Sequence, residues 1–380
     1  MDLTAVSKWF KKAIVVFGVF LFGYYFVFHL ILPGGIHIVR SALKTKLKPN
    51  TVYGKLPQLE FIEKPITNEE YPSIKLNTPS GRLPVLLPPT MKVYKYKPPM
   101  FSYLAGSNAI EDAALLGFEE KDLISDLKGT TYRWRNLDTG GVLTIKINER
   151  ELMLDTSLRG KSYLFPRGGI DEAGALKKSI ALLESLNRFE DTFYTEGSQK
   201  TYLGAYSGTR ILEAASLGEA QLARVDFFRS IDDYPILGPD PNKGLLHIIL
   251  KNPSREPNAS NYPIIEAFYW EINPNSEAVY PVIEVKDAWE AVKEGKGVMS
   301  GIIPEDQSPF EDYEAVEIDT ILIDNIYIAY YDSIKSQTYL QPIYVFEGTY
   351  QSRKDEDGEI TIYFPAVPGE YIQQTPSTKD

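Results

Sequence analysis

The sequence contains no cysteine and only three histidines among its 380 residues. Without cysteine it has no disulfide framework, no thiolate nucleophile and no cysteine-ligated zinc or iron–sulfur site. His29 and His37 lie in or beside one apolar segment, so His247 is the only histidine in the rest of the chain. A single histidine does not supply a zinc cluster, and no serine motif completes a serine–histidine–aspartate triad. We therefore expect a non-enzymatic protein without a cofactor, with His247 as a structural residue of a strand.

Charge is absent from residues 13–32, a run of 20 residues that reads AIVVFGVFLFGYYFVFHLIL. As a helix, which rises about 1.5 Å per residue, this run would cover about 30 Å, the thickness of a bilayer's hydrocarbon core. A helix of a soluble domain shows a polar face, and this run has none. We expect an uncleaved transmembrane helix rather than a cleaved signal peptide, since no small-residue cleavage site follows it. The aromatic residues expected to anchor it are Phe20, Phe22, Tyr24 and Tyr25.

Basic residues are concentrated near the N-terminus. The first 50 residues contain seven Lys or Arg and one Asp, although the whole chain has a net charge of −11. The acidic remainder argues against nucleic acid as a partner. The basic stretch 40–48 could contact anionic lipid headgroups or form a solvated helix flank. Basic residues on both sides of the apolar run leave its orientation open, but the absence of cysteine favours a cytoplasmic N-terminus and an extracytoplasmic body at the cell membrane.

Proline is unusually frequent between residues 49 and 99, where ten prolines occur. So many prolines exclude a mainly helical segment. The same segment contains Leu, Ile and Phe residues that are too apolar for a free linker. We expect an extended stalk that lies partly along the folded body, with edge strands at Ser73–Leu76 and 92–97.

Helix patterns followed by strand patterns recur three times after the stalk. One-sided apolar stripes predict helices at 108–118, 171–187 and 285–294. Alternation of apolar and polar residues predicts antiparallel strands after each of these helices. The predicted fold class is α+β: an N-terminal single transmembrane helix followed by tandem antiparallel-sheet modules, each with a packed helix. The expected divisions are a cytoplasmic tail (1–12), the membrane helix (13–32), the juxtamembrane segment and stalk (33–100), modules at 101–165, 166–275 and 276–370, and a disordered tail (371–380).

Acidic residues cluster between residues 305 and 319. Carboxylates at Glu311, Asp312 and Glu314 are candidate calcium ligands, although the regular spacing and turn glycine of known calcium loops are missing. The alternative is a solvated loop. The neighbouring acids Asp232 and Asp233 could in principle perform acid–base work on a glycan, but adjacent acids more commonly form a turn.

Four segments between residues 280 and 348 stand out as motifs: YPVI (280–283), AWEAV (288–292), IYIAYY (326–331) and YLQPIYVFEG (339–348). They resemble segments of the YycH/YycI-type (PepSY-like) group of bacterial proteins, and the resemblance extends in plan over residues 170–370. Members of that group are single-pass membrane proteins with an extracytoplasmic domain, and the YycH/YycI pair regulates a sensor histidine kinase. The resemblance implies a regulatory role and no catalytic residues.

These observations favour a membrane-anchored, non-enzymatic binding or regulatory protein that modulates a membrane partner such as a sensor kinase. The alternative is a structural subunit of a cell-envelope assembly, and a third reading is a calcium- or glycan-dependent hydrolase. The expected partners are the lipid bilayer and proteins of the membrane or envelope, with homo- or hetero-oligomers possible. Large aromatic side chains favour contact surfaces. The candidate contact face consists of Trp289, Tyr330, Tyr344 and Phe346, unless a neighbouring module covers it.

Overall fold

A computed structural model describes residues 47–373, except 69, 99–103, 126–129, 139, 148–149, 157–164, 166, 190–191, 252–260 and 353–356. The predicted membrane helix at 13–32 and its anchor residues Phe20, Phe22, Tyr24 and Tyr25 lie outside the described residues. None of the helices in the described part of the chain is long and apolar enough to cross a membrane. No described element therefore corresponds to the expected membrane helix and signal anchor, which fall on residues outside the described ranges.

Strands dominate the described residues. The four α-helices are α1 (Ala105–Leu115), α2 (Glu172–Ser185), α3 (Thr192–Thr195) and α4 (Val285–Lys293), with 3₁₀ turns at Glu120–Asp122 and Gly369–Tyr371. The 17 strands are β1 (Ser73–Leu76), β2 (Thr90–Tyr96), β3 (Leu123–Ser125), β4 (Thr131–Arg135), β5 (Val142–Lys146), β6 (Glu151–Asp155), β7 (Ser198–Ser207), β8 (Arg210–Glu213), β9 (Leu222–Ile231), β10 (Tyr234–Leu237), β11 (Leu246–Lys251), β12 (Ile264–Ala267), β13 (Ile272–Pro281), β14 (Val298–Pro304), β15 (Thr320–Tyr331), β16 (Tyr339–Gln351) and β17 (Gly358–Pro365).

Nine strands form the first sheet, in the order β3-β4-β5-β6-β12-β11-β9-β7-β8. Every pair in it is antiparallel. Its helices lie on one face, where Ala109 and Ala113 of α1 and Leu182 and Leu183 of α2 are buried in the first core. Helix α2 begins where the side chain of Asp171 accepts a hydrogen bond of 2.6 Å from the backbone N–H of Gly174, which satisfies one free donor of the first turn.

The second sheet is built around β15. Strands β15, β16, β17 and β14 are antiparallel in that order, and β1 and β10 both pair in parallel with the outer edge of β15. Strand β2 pairs with the start of β16 and with β13. Helix α4 covers one face of this sheet and places Ala288, Trp289 and Val292 in the second core.

The part of the proline-rich segment at residues 57–61 lies on the face of the second sheet that is opposite α4, whereas later residues such as Ile66 and Leu83 pack against the second core. The Phe61 ring packs edge-on against Tyr331, with 4.8 Å between ring centroids, and the Tyr331 hydroxyl donates to the Glu60 carbonyl at 3.0 Å. Gln341 donates to the Pro57 carbonyl at 2.9 Å. Side chains of the sheet thus hold this segment by donating hydrogen bonds to its backbone carbonyls. The predicted edge strand at Ser73–Leu76 is confirmed as β1.

The predicted α+β fold class is wrong for the described residues. The fold is mostly β, with 17 strands and four helices in the described ranges, and its strands do not form one module per helix. Strand β6 pairs with β12, so strands before and after α2 share one sheet. Strand β2 pairs with β13 and β16, far along the chain. Alternating residues identify a strand, but they do not identify its partner, and here the partners are distant.

One hairpin connects the two sheets. Strand β9 pairs with β11 in the first sheet and then with β10, which pairs with β15 in the second. Beside this hairpin the Arg229 guanidinium donates to the Asp332 carboxylate and, at 2.8 Å, to the Trp270 carbonyl. The Tyr96 hydroxyl donates to the other oxygen of Asp332 at 2.9 Å. Both charges are buried, so this ion pair holds strands of the two sheets together.

The turn of this hairpin consists of Asp232 and Asp233, with φ angles of 53° and 67°. Ile231 pairs with Tyr234, which makes a two-residue loop with both residues left-handed. The two acids therefore form a turn, as the more common alternative for adjacent acids predicts.

Replacing Asp233 with glycine is expected to stabilise the protein by about 0.5–1 kcal/mol, since glycine carries no steric cost at a left-handed position. The measurement is the urea midpoint of the full chain. Asp233→Ala keeps the Cβ and serves as the control, which should not gain stability. A midpoint for Asp233→Gly at or below that of Asp233→Ala would show that the left-handed turn is not strained.

Candidate functional site

The face of the first sheet that is opposite its helices carries a cleft. In β9, Ala223, Val225 and Phe227 point into the first core, so Arg224 and Asp226 lie on the other face. The same alternation in β11 places His247 and Ile249 on that face. Register brings these side chains together: Asp226 is opposite His247, and Arg224 is opposite Ile249.

A buried polar network forms the floor of the cleft. The Asp226 carboxylate accepts hydrogen bonds from Arg224 Nε at 2.7 Å and from the backbone N–H of Gly244 at 3.0 Å. His247 Nδ1 lies 2.9 Å from the same carboxylate. Asp226 is fully buried and His247 is 4% exposed. Arg224 extends the network outward, because its guanidinium also donates to the carbonyls of Pro309 and, at 3.2 Å, Asn242.

The protonation states in this network follow from burial and charge. Burial disfavours the imidazolium and lowers the pKa of His247, and the attraction of Asp226 does not outweigh that effect. Burial alone would raise the pKa of Asp226, but its contacts with His247 and Arg224 hold that pKa well below its usual range. A neutral His247 therefore donates its Nδ1–H to an ionised Asp226, and Arg224 is the counter-ion. Nε2 of His247 is then an acceptor.

The wall facing this floor comes from the segment between β14 and β15. Its Phe310 ring packs so closely on β7 that a Cβ added at Gly204 would lie 2.7 Å from the ring. Arg210 of β8 donates two hydrogen bonds, of 2.8 and 2.6 Å, to the Glu311 carboxylate. These contacts leave a cleft of about 280 Å³, lined by Tyr202, Arg224, His247, Ile249 and Ile264 of the sheet, by Ile302 and Ile303 of β14, and by Gln307, Phe310, Asp312 and Tyr313 of the wall.

Ion pairs surround the opening of the cleft. Lys64 Nζ lies 2.9 Å from Asp240, and Lys243 Nζ lies 2.7 Å from Glu266. Arg224 is likewise paired with Asp226, so every cation of the cleft lining has a carboxylate as its partner. Two acceptors of the wall that line the cleft have no partner among the described contacts, the Gln307 side-chain oxygen, which is buried, and the exposed Asp312 carboxylate.

His247 is expected to make the protein less stable in weak acid. Its folded-state pKa is lowered beneath the unfolded value of about 6.5, so below that pH the unfolded chain takes up a proton that the folded chain does not. Its contribution to stability is complete above about pH 6.5 and is lost as the pH falls, by at most about 1.4 kcal/mol per pH unit.

The measurement compares urea unfolding of the full chain and of His247→Asn at pH 7.5 and pH 5.0. Asparagine can still donate to Asp226 but does not titrate, so the variant should lose less stability between the two pH values. Equal losses would show that His247 is not held neutral by the fold.

The predicted contact face is corrected by the structure. Tyr330, Tyr344, Phe346 and Trp289 are at most 7% exposed and belong to the second core. The hydroxyls of Tyr330 and Tyr344 donate to backbone carbonyls of Lys92 and Ile283, at 2.9 and 2.6 Å. These four residues therefore pack α4 and neighbouring strands against the sheet and present no face to a partner, and the rings of Tyr344 and Phe346 are covered by α4 rather than by a neighbouring module.

The candidate calcium ligands do not converge. Glu311 is paired with Arg210, and Asp312 and Glu314 are exposed. No group of three His, Asp or Glu residues in the described ranges is placed to hold a metal ion. Two of the three residues, Glu311 and Asp312, nevertheless line the cleft.

Sequence reasoning missed Arg224 and Asp226, and it treated His247 as structural only. His247 does lie in a strand, as predicted. The available signal was two opposite charges at alternate positions of the otherwise apolar run 222–228, which places both on one face. Their meeting with His247 depends on the β9–β11 register, which the pattern of one strand does not contain.

Comparisons with known proteins add little to this geometry. No protein-family model matches the chain, and no curated protein matches it. The structure is similar to the crystal structure of an uncharacterized protein from Eubacterium rectale, with a TM-score of 0.43 and 10% identity, covering 75% of this chain and 86% of that chain. A likeness at this level carries no argument about function, and the resemblance to the YycH/YycI-type group stays a prediction.

Proposed function

We propose that this chain is a non-enzymatic binding protein with a regulatory role, and that its binding site is the cleft over Arg224, Asp226 and His247. The observation that carries the proposal is the buried polar floor of a cavity close in size to small-molecule sites, which hold about 300–1,000 Å³. Burying two charges and an imidazole is costly unless each is satisfied. The satisfied network at the base of an accessible cleft supports a role in recognition.

The hydroxyls in the cleft wall support binding rather than catalysis. Ser308 Oγ accepts a hydrogen bond from the backbone N–H of Phe310 at 3.3 Å, and the Tyr313 hydroxyl donates to the Pro65 carbonyl at 2.8 Å. Both hydroxyls thus order the wall. An activated nucleophile would instead be hydrogen-bonded to a base such as His247.

A regulatory role is supported by the position of the wall. The wall leaves the second sheet at Pro304 and returns to it at Thr320, while Arg224 and Arg210 tie it to the first sheet. A ligand in the cleft therefore contacts parts of both sheets. If it binds one arrangement of the wall more tightly than another, it shifts the population toward that arrangement, which a protein partner can sense.

The test is fragment soaking of crystals of the full chain with a mixed set of cationic, anionic and neutral fragments. At least one fragment is expected in the cleft, in contact with the His247 side. Ile303→Trp should fill the cleft and remove that fragment, whereas Leu217→Trp, a change at an exposed side chain outside the cleft lining, should not. Fragments found at other sites and never in the cleft would contradict the proposal.

A further inference from the structure

The cleft lining contains both acceptors and donors of hydrogen bonds, the donors including the Tyr202 hydroxyl and the side-chain amide of Asn242. The cations that line it, Lys64, Arg224 and Lys243, each contact a carboxylate at 2.7–2.9 Å. An anionic ligand would therefore have to displace an existing ion pair. Within the described ranges, by contrast, the Gln307 side-chain oxygen and the Asp312 carboxylate accept no hydrogen bond. The exposed Asp312 carboxylate can therefore accept a hydrogen bond from a ligand without the loss of an existing ion pair.

His247 adds an acceptor on the opposite side of the cleft. Its Nδ1 is engaged with Asp226 at 2.9 Å, and its side chain is 4% exposed yet lines the cleft. A carboxylate can only accept, so the proton of that hydrogen bond lies on Nδ1. Nε2 of the neutral ring therefore keeps its lone pair, and a cleft ligand can donate to it.

The charge and the apolar surface of the cleft point to the class of donor. The lining contains three cations, Lys64, Arg224 and Lys243, and four carboxylates, Asp240, Glu266, Glu311 and Asp312. Glu311 is neutralised by Arg210, which leaves the Asp312 charge without a counter-ion in the lining. Ile249, Ile264 and Ile302, with the rings of Tyr202 and Phe310, form an apolar surface beside these groups. Aromatic faces attract cations as well as hydrocarbon.

We propose that the cleft binds a small organic cation, an amine whose ammonium group donates hydrogen bonds to the free acceptors and whose carbon body packs on the isoleucines and aromatic rings. This inference rests on the proposed binding function and names its ligand class. The wall acceptors are Gln307 and Asp312, and the floor acceptor is His247. An alcohol of the same shape lacks the charge that Asp312 attracts, and a carboxylate is repelled by it.

The experiment uses three probes with one carbon body: 4-phenylbutylamine, 4-phenylbutanol and 4-phenylbutyrate. Their dissociation constants for the full chain are measured by calorimetry at pH 7.5. The amine is expected to bind at least about tenfold more tightly than the alcohol, and the carboxylate more weakly than both. Asp312→Asn and Gln307→Met should each weaken amine binding about threefold to tenfold. Asp306→Asn removes the same charge from an exposed position of the same segment outside the cleft lining, and should change nothing.

The outcomes separate the ligand class from the binding function. If the alcohol or the carboxylate binds as tightly as the amine, and Ile303→Trp abolishes that binding, the amine class is wrong and the binding cleft stands. If the amine binds equally well to Ile303→Trp, its site lies elsewhere and the inference is overturned. If none of the probes binds, the amine class is overturned, and fragment soaking decides the binding function independently.

Discussion

Replacing Asp332 with asparagine is expected to lower the free energy of unfolding by about 3–5 kcal/mol. The substitution leaves the Arg229 guanidinium buried without its counter-charge, at the point where strands of the two sheets meet. Tyr96 also donates to the Asp332 carboxylate, so a second buried hydrogen bond is weakened. Urea unfolding of the full chain, followed by far-ultraviolet circular dichroism, measures the loss.

Two comparisons isolate the buried charge as the cause. Asp306→Asn makes the same chemical change at an exposed position, and its effect should stay within about 0.5 kcal/mol. Arg229→Met combined with Asp332→Leu removes both charges and should recover part of the loss, because an apolar pair can replace a buried ion pair. A loss of less than about 1 kcal/mol for Asp332→Asn would show that the ion pair does not join the sheets.

Replacing Trp289 with alanine is expected to destabilise the protein by about 3–5 kcal/mol. The indole on α4 is 7% exposed, and its ring centroid lies 6.2 Å from that of Phe346 on β16. Alanine would leave a cavity between the helix and the sheet, since the surrounding side chains relax only partly. Thermal and urea unfolding of the full chain measure the loss.

The control for this helix is Lys286→Ala, at an exposed position of the same element. It should change the free energy of unfolding by no more than about 0.5 kcal/mol. If Trp289→Ala unfolded at the same urea concentration as Lys286→Ala, the indole would not be packed beneath α4, and its assignment to the second core would be wrong.

Strand positions could be predicted where residues alternate cleanly. The predicted strand at Ser73–Leu76 has the observed bounds. Strand β13 escaped prediction because its first half reads INPNS and contains a register shift between Asn273 and Glu277. Strand β14 escaped because Gly295 and Gly297, just before it, and Gly301 within it suggest a turn.

The fold class could not be predicted because it depends on strand partners. Strand β1 joins β15, and β2 joins both β13 and β16, although long stretches of chain separate them. Helix-then-strand order suggests local modules, but backbone hydrogen bonds can be satisfied equally well by a distant strand. The proline-rich segment illustrates this point, since its apolar residues predict contact with the body but not the sheet face that Phe61 occupies.

The candidate site was hidden for a similar reason. Asp226 and His247 meet only because β9 and β11 are neighbours in one register. The acidic segment was recognised from composition, and its Glu311 and Asp312 do line the cleft. The floor opposite them belongs to the first sheet, which composition does not identify. Aromatic richness suggested a contact face at Tyr330 and Tyr344, whereas both rings fill the second core. Composition identifies aromatic and acidic residues, but it does not show which face of the sheet is covered by other elements of the chain.

The most direct test of the account is the tautomer of His247 in the full chain, read from the ¹⁵N chemical shifts of its ring and assigned by their loss in His247→Asn. We predict a neutral ring at pH 7.5 with the proton on Nδ1, and a shift of the bare Nε2 signal when 4-phenylbutylamine is added. A proton on Nε2 would place a donor in the cleft and contradict the account. So would ring signals that stay unchanged in the presence of the amine, the alcohol and the carboxylate.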